Sequence, residues 1–105
     1  MLQEGHKAVR LIITGQVQGV CFRHWATQNA NQLSLDGWVR NRTDGSVEAL
    51  FVGNKHHVED MLQRCAVGPS TAKVVKIDVS DAIGIAAKGF IQKPTVNLDE
   101  RKGPT

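Results

Sequence analysis

The stretch GQVQGVCFR, residues 15–23, connects two segments of different character. Residues 9–14 before it form an apolar run rich in β-branched side chains, which is typical of a strand. After it, apolar residues recur at helical spacing from Phe22 onward. The stretch is therefore predicted to be a tight loop that leads from a strand into the first turn of a helix.

A helix start of this kind can bind an anion. Its first N–H groups have no acceptor within the helix, and the helix dipole places positive charge beside them. Gly15 and Gly19 permit turn conformations and a close approach of the backbone to a ligand. Arg23 adds a guanidinium group that can hold two oxygens of a phosphoryl or carboxylate group. Two glycines four residues apart also occur in ordinary turns, so this stretch alone leaves both interpretations open.

A second motif follows along the chain, with GWVRN at residues 37–41 and DGSV at residues 44–47. Together the two motifs resemble the acylphosphatase family, whose patterns are G-x-V-Q-G-V-x-F-R and G-W-V-x-N followed by D-G-x-V. The resemblance runs from about Val9 to Lys93. It implies that Arg23 is the phosphate-binding arginine and that Asn41 positions the attacking water.

The predicted phosphate-binding loop presents backbone N–H groups rather than side chains. It comprises Gln18, Gly19, Val20, Cys21 and Phe22.

Composition limits the class of protein. The chain has 105 residues, of which 41% are hydrophobic and 22% are charged, and its net charge is +3 with a pI near 9.1. We expect a single domain over residues 1–94, a disordered tail over 95–105, and a cytoplasmic protein without a membrane segment. The resemblance to the acylphosphatase family implies a monomer. Cys21 and Cys65 are too isolated for a disulfide framework, so both are predicted to be free thiols.

The periodicity of apolar residues predicts five strands and two helices. Strands are expected at residues 7–14, 38–42, 47–52, 73–79 and 89–93. Helices are expected at residues 22–33 and after Asn54, which is a plausible N-cap. In the fourth strand Val75, Ile77 and Val79 are predicted to point inward.

This order predicts an α+β, ferredoxin-like split βαβ sandwich: β-α-β-β-α-β plus a short fifth strand, with two helices on one face of an antiparallel sheet. The first two strands run parallel because a helix crosses over between them. Their ends therefore lie at the same edge of the sheet, which brings Arg23 and Asn41 together independently of the motifs.

Two local features of the strands are also expected. Arg40 and Arg42 flank Asn41 and are predicted to be solvated on the outward side of their strand. The family pattern has two apolar positions separated by a polar one in the last strand, whereas this chain has Phe90 and Ile91 adjacent and then Gln92. That departure leaves the register of the strand open.

The candidate residues limit the chemistry. Arginine and asparagine are not bases at neutral pH, and no nucleophile with a partner or cluster of metal ligands accompanies them. An alkyl phosphate ester has a poor leaving group and usually calls for metals, an acid or a covalent nucleophile. An acyl phosphate expels a stable carboxylate, so positioning and charge stabilisation suffice. We therefore expect an acylphosphatase that needs no cofactor or metal and acts on a small acyl phosphate.

Two other functions remain open. RNA-recognition modules share this topology, but they stack bases on aromatic residues of the first and third strands. Here the first strand has no aromatic residue and the third has only Phe51, which is predicted to point inward; no nucleic-acid partner is expected. A regulatory acylphosphatase-like domain that binds a phosphate compound without turning it over is the second alternative, and only a turnover measurement separates it from the enzyme.

Overall fold

The computed structural model describes residues 5–83 and 86–98 of the chain. In these residues the chain forms five strands and two helices in the predicted order. They are β1 (His6–Gln16), α1 (Phe22–Gln32), β2 (Asp36–Asn41), β3 (Val47–Asn54), α2 (Lys55–Val67), β4 (Lys73–Asp81) and β5 (Phe90–Gln92).

The strands form one sheet in the order β4-β1-β3-β2-β5. The pairs β1–β3, β1–β4 and β2–β3 are antiparallel, so β1 and β2 run in the same direction, as predicted. The expectation of an entirely antiparallel sheet needs a correction, because β5 pairs with β2 in parallel. The ferredoxin-like arrangement is confirmed, and its sheet is mixed.

Both helices pack on one face of the sheet and enclose the main core. Strands supply every second residue to it, including Leu11, Ile13 and Phe51. Helix α1 contributes Phe22, Ala26 and Ala30, and α2 contributes Val58, Met61 and Cys65, at helical spacing. The start of α2 is as predicted, since Asn54 accepts a hydrogen bond from the N–H of His56. Gly68 follows the last residue of the helix.

Strand β4 departs from its predicted alternation. The pairing with β1 shifts between Thr14 and Gly15, so that Val75 lies between two paired residues as a bulge and is 74% exposed. Val74 and Ile77 pack against the core instead. Val79 lies opposite buried Leu11 but stays half exposed because β4 is an edge strand. The inward assignment is therefore wrong for Val75 and correct for Ile77.

The chain continues to pair with the sheet beyond β5. Val96 forms a parallel bridge with Arg42 and donates its N–H to the carbonyl of Asn41 at 3.0 Å. Residues 95–98, which the sequence assigned to a disordered tail, thus begin with an ordered contact at the end of β2. The rest of that predicted tail, 99–105, lies outside the described residues.

The face of the sheet away from the helices carries an ion-pair cluster instead of solvated arginines. Glu48 is 1% exposed and accepts hydrogen bonds from Arg10 Nε at 2.6 Å and Arg40 Nε at 2.8 Å. The guanidinium of Arg40 also lies 4.6 Å from the ring centre of Trp38. Arg42 is similarly covered, with a side chain only 17% exposed. The prediction that Arg40 and Arg42 are solvated is therefore wrong, because a buried acid and neighbouring side chains cover them.

Burial alone would raise the pKa of Glu48, but the hydrogen bonds from Arg40 and Arg10 outweigh it and leave the pKa below its usual value. The carboxylate is thus ionised and links three strands. Among the described residues, neither helix is long and apolar enough to cross a membrane.

Candidate active site

A pocket of about 300 Å³ opens at the sheet edge where β1, β2 and β5 end. It brings together Arg23 and Asn41, as the topology predicts. Its lining residues are Val17, Gly19, Cys21, Phe22, Arg23, His24, Asn41 and Gln92. No acidic residue is among them.

The loop before α1 has the backbone geometry of an open helix start. Gly19 and Cys21 both adopt positive φ angles, 72° and 61°. Cys21 occupies the N-cap position, yet no side chain caps the helix and no acidic residue lies in its first turn. Helix α2 shows the usual alternative, because the side chain of Asn54 satisfies its first turn. The first N–H groups of α1 thus face the pocket without a capping side chain, which leaves them to an anion.

Three side-chain hydrogen bonds hold this loop in place. Gln18 Nε2 donates to the carbonyls of Arg42 at 2.7 Å and Ser46 at 2.8 Å, which ties the loop to the turn that follows Asn41. Thr71 Oγ1 donates to the carbonyl of Val20 at 2.8 Å from the opposite side. The sequence analysis assigned Gln18 only a backbone role. Its side-chain contact joins segments far apart in the chain, so no local pattern reveals it.

Gly15 lies in β1 rather than in the pocket. Its φ of 132° and its position against β4 leave no room for a Cβ, which would overlap the carbonyl oxygen of Lys73. Glycine at position 15 therefore allows β4 to pack closely against β1 beside the bulge, rather than allowing a ligand to approach. Gly19, with no atom within 4 Å of a built Cβ, is the glycine that lines the pocket.

Asn41 lines the pocket and has an unsatisfied acceptor in its side chain. Its backbone is held by pairing with Val47 and by the bond from Val96. Its side-chain oxygen, Oδ1, is buried and has no hydrogen-bond partner among the described residues. A buried acceptor without a partner costs free energy, about 1–3 kcal/mol, and such groups in native proteins often receive a water or a ligand.

The two thiols differ in environment. Cys21 is exposed in the pocket, whereas Cys65 is buried in the core, where burial raises its pKa to about 12. Both cysteines are free thiols in the structure. Cys65 is therefore protonated and unreactive at neutral pH.

Metal ligands do not cluster in the part of the chain that the structure describes: no three His, Cys, Asp or Glu side chains are close enough to hold an ion. His56 and Asp60 lie one helical turn apart on α2, a spacing that can bring two ligands together. Asp60 instead accepts a hydrogen bond from Arg64 at 3.1 Å. The candidate site thus combines backbone donors with Arg23 and Asn41, and Cys21, His24 and Gln92 complete its polar lining.

Comparison with known proteins identifies the family. The family model described as Acylphosphatase matches residues 9–91, which contain both motifs and most of the pocket. The chain belongs to the acylphosphatase family.

Relatives within the family agree over nearly their whole length. The acylphosphatase of Rhizorhabdus wittichii is 53% identical over 89 residues, 85% of this chain and 90% of that protein. That of Rhodospirillum rubrum is 46% identical over 90 residues, 86% of this chain and 99% of that protein. The solved acylphosphatase of Coxiella burnetii is 26% identical, with a TM-score of 0.83 over 89% of this chain and all of that one.

Proposed function

We propose that the chain hydrolyses the carboxyl–phosphate bond of small acyl phosphates and yields a carboxylate and inorganic phosphate. Membership of the acylphosphatase family supports this activity. The observation that carries the mechanism is that one pocket is lined by the uncapped start of α1 and by Asn41, whose buried Oδ1 has no hydrogen-bond partner in the described part of the chain. The N–H groups at the start of α1 can bind an anion, and Oδ1 of Asn41 can accept a hydrogen bond from a water.

The phosphoryl group binds at the start of α1. The N–H groups of residues 18–22 and the guanidinium of Arg23 hold its three non-bridging oxygens. The positive ends of these donors are fixed before the substrate arrives, because Gln18 and Thr71 hold the loop from two sides. Charge that shifts onto the phosphoryl oxygens is therefore stabilised without rearrangement.

Asn41 orients the attacking water. Its Oδ1 accepts a hydrogen bond from the water and directs a lone pair of the water toward phosphorus. Asparagine takes up no proton, so the water's protons remain with the phosphate product. The reaction therefore requires a leaving group that can depart without being protonated. A carboxylate can do so, whereas an alkoxide cannot.

The test is phosphate release from benzoyl phosphate with and without a chelator. We expect turnover that a chelator leaves unchanged and little release from an alkyl phosphate. Activity that a chelator abolishes, or comparable rates on the two compounds, would reject the positioning mechanism. Tight phosphate binding without turnover would instead favour the regulatory, non-catalytic alternative.

A further inference from the structure

Two exposed polar side chains at the mouth of the pocket, His24 and Gln92, have no part in the roles assigned above. Gln92 ends β5 and lies opposite Val39 in the parallel pairing with β2. Asn41 ends β2, so the two side chains line the pocket from neighbouring strands. The side-chain amide of Gln92 has no hydrogen-bond partner in the described part of the chain. It is thus available to a molecule in the pocket.

The burial of the pocket gives the reaction a direction. Asn41 Oδ1 is buried, whereas the side chains of Gln92 and His24 are exposed to solvent. In an in-line displacement the attacking water and the leaving group lie on opposite sides of phosphorus. A water held at Asn41 therefore directs the acyl group toward the mouth, where Gln92 lies.

We propose that Gln92 donates a hydrogen bond from Nε2 to the carbonyl oxygen of the acyl phosphate and so determines specificity for the acyl group. This inference rests on the proposed function and adds a contact to the end of the substrate that Arg23 does not reach.

The contact stabilises the departing group. The water oxygen bonds to phosphorus, the bond from phosphorus to the bridging oxygen breaks, and the carboxylate leaves with the electron pair. Its negative charge spreads over both carboxylate oxygens, so a hydrogen bond to the former carbonyl oxygen strengthens toward the transition state. The amide of Gln92 stays neutral and transfers no proton.

The principal variant is Gln92→Leu, measured with acetyl phosphate and with benzoyl phosphate. We expect kcat/KM to fall about tenfold for both, because the hydrogen bond goes to the carboxyl group that they share. Inhibition by inorganic phosphate, which has no acyl group, should not change. Gln28→Leu is the matched control, since Gln28 is exposed on α1 outside the pocket and its replacement should leave both measurements unaltered.

A second variant tests the charge argument. Gln92→Glu places a negative charge against the departing carboxylate, so its kcat/KM should lie below that of Gln92→Leu while circular dichroism stays unchanged. It also decides the matter if the leucine variant fails to fold.

Three results would overturn the inference: an unchanged kcat/KM in either variant, a parallel loss of phosphate inhibition, or an effect on only one of the two substrates. An inactive wild-type chain would reject the proposed function and this contact with it. An active wild type with unaffected variants would reject the contact alone.

Discussion

Arg23 is the arginine among the residues that line the pocket, and its guanidinium group brings positive charge to the site. Replacing it with alanine removes charge-assisted hydrogen bonds worth about 1.5–3 kcal/mol each, so substrate binding and turnover should both fall. Arg23→Lys should restore only part of the loss, because an ammonium lacks the planar fork. Steady-state kinetics and inhibition by inorganic phosphate measure the effect. Full phosphate inhibition of the alanine variant would contradict the assignment.

Replacing Asn41 should lower the turnover rate without changing the affinity for inorganic phosphate. Asn41→Ala removes the acceptor for the water, and we expect kcat to fall about a hundredfold or more. Inorganic phosphate should inhibit the variant with nearly unchanged affinity, because the loop and Arg23 are intact. Circular dichroism should show a folded protein, since the side chain is outside the apolar core. A folded variant with nearly full activity would exclude the water-positioning role.

Among the elements, β1 and β4 depend on Gly15 at their junction. Gly15→Ala should destabilise the protein by about 2–4 kcal/mol, because the added Cβ overlaps the carbonyl of Lys73 and the backbone has a positive φ. Gly45→Ala is the control, since Gly45 also has a positive φ but no atom within 4 Å of a built Cβ. Urea denaturation should show a clearly smaller loss for the control, about 1 kcal/mol. Equal losses would show that backbone conformation alone explains the effect.

Strands and helices could be predicted where they depend on the pattern of residues close together in the chain. The order of strands and helices, the cap at Asn54 and the meeting of Arg23 with Asn41 follow from periodicity and chain topology. The bulge at Val75 does not, because it arises from the register of two strands that are distant in sequence. The same holds for Glu48, which alternation marks as outward but which two arginines of other strands enclose. The side-chain role of Gln18 and the parallel pairing of β5 likewise depend on contacts between separate segments.

The stability of the whole molecule should depend on pH through the protonation of Glu48. Its pKa is lowered from an ordinary value of 4.5, so the folded state binds the proton less readily than the unfolded state. The carboxylate therefore contributes stability that is complete above pH 4.5 and is lost as the pH falls through the folded-state pKa. Asp44 acts in the same direction, because hydrogen bonds from the side chain and backbone of Ser46 lower its pKa.

Glu48→Gln should cost about 2 kcal/mol at neutral pH, because it leaves Arg10 and Arg40 without their carboxylate. The variant should also lose less stability than the wild type between pH 5 and pH 3 (a range of about 2 units around the ordinary pKa). Urea denaturation across that range measures both effects. Glu59→Gln, on the exposed face of α2, is the control and should change stability by less than about 0.5 kcal/mol. Parallel pH profiles for Glu48→Gln and the wild type would contradict the linkage.

The strand order also determines how the chain must fold. Of the pairings in the described sheet, β2–β3 joins strands connected by a short turn, whereas β1–β4 and β2–β5 join segments from opposite parts of the chain. Such long loops must close before their contacts offset the entropy lost, which slows folding to the range of about milliseconds to seconds. The pocket draws on residues 17, 19, 21–24, 41 and 92. The complete pocket therefore forms late in folding. A nascent chain that ends before β5 lacks one of the segments that line the pocket.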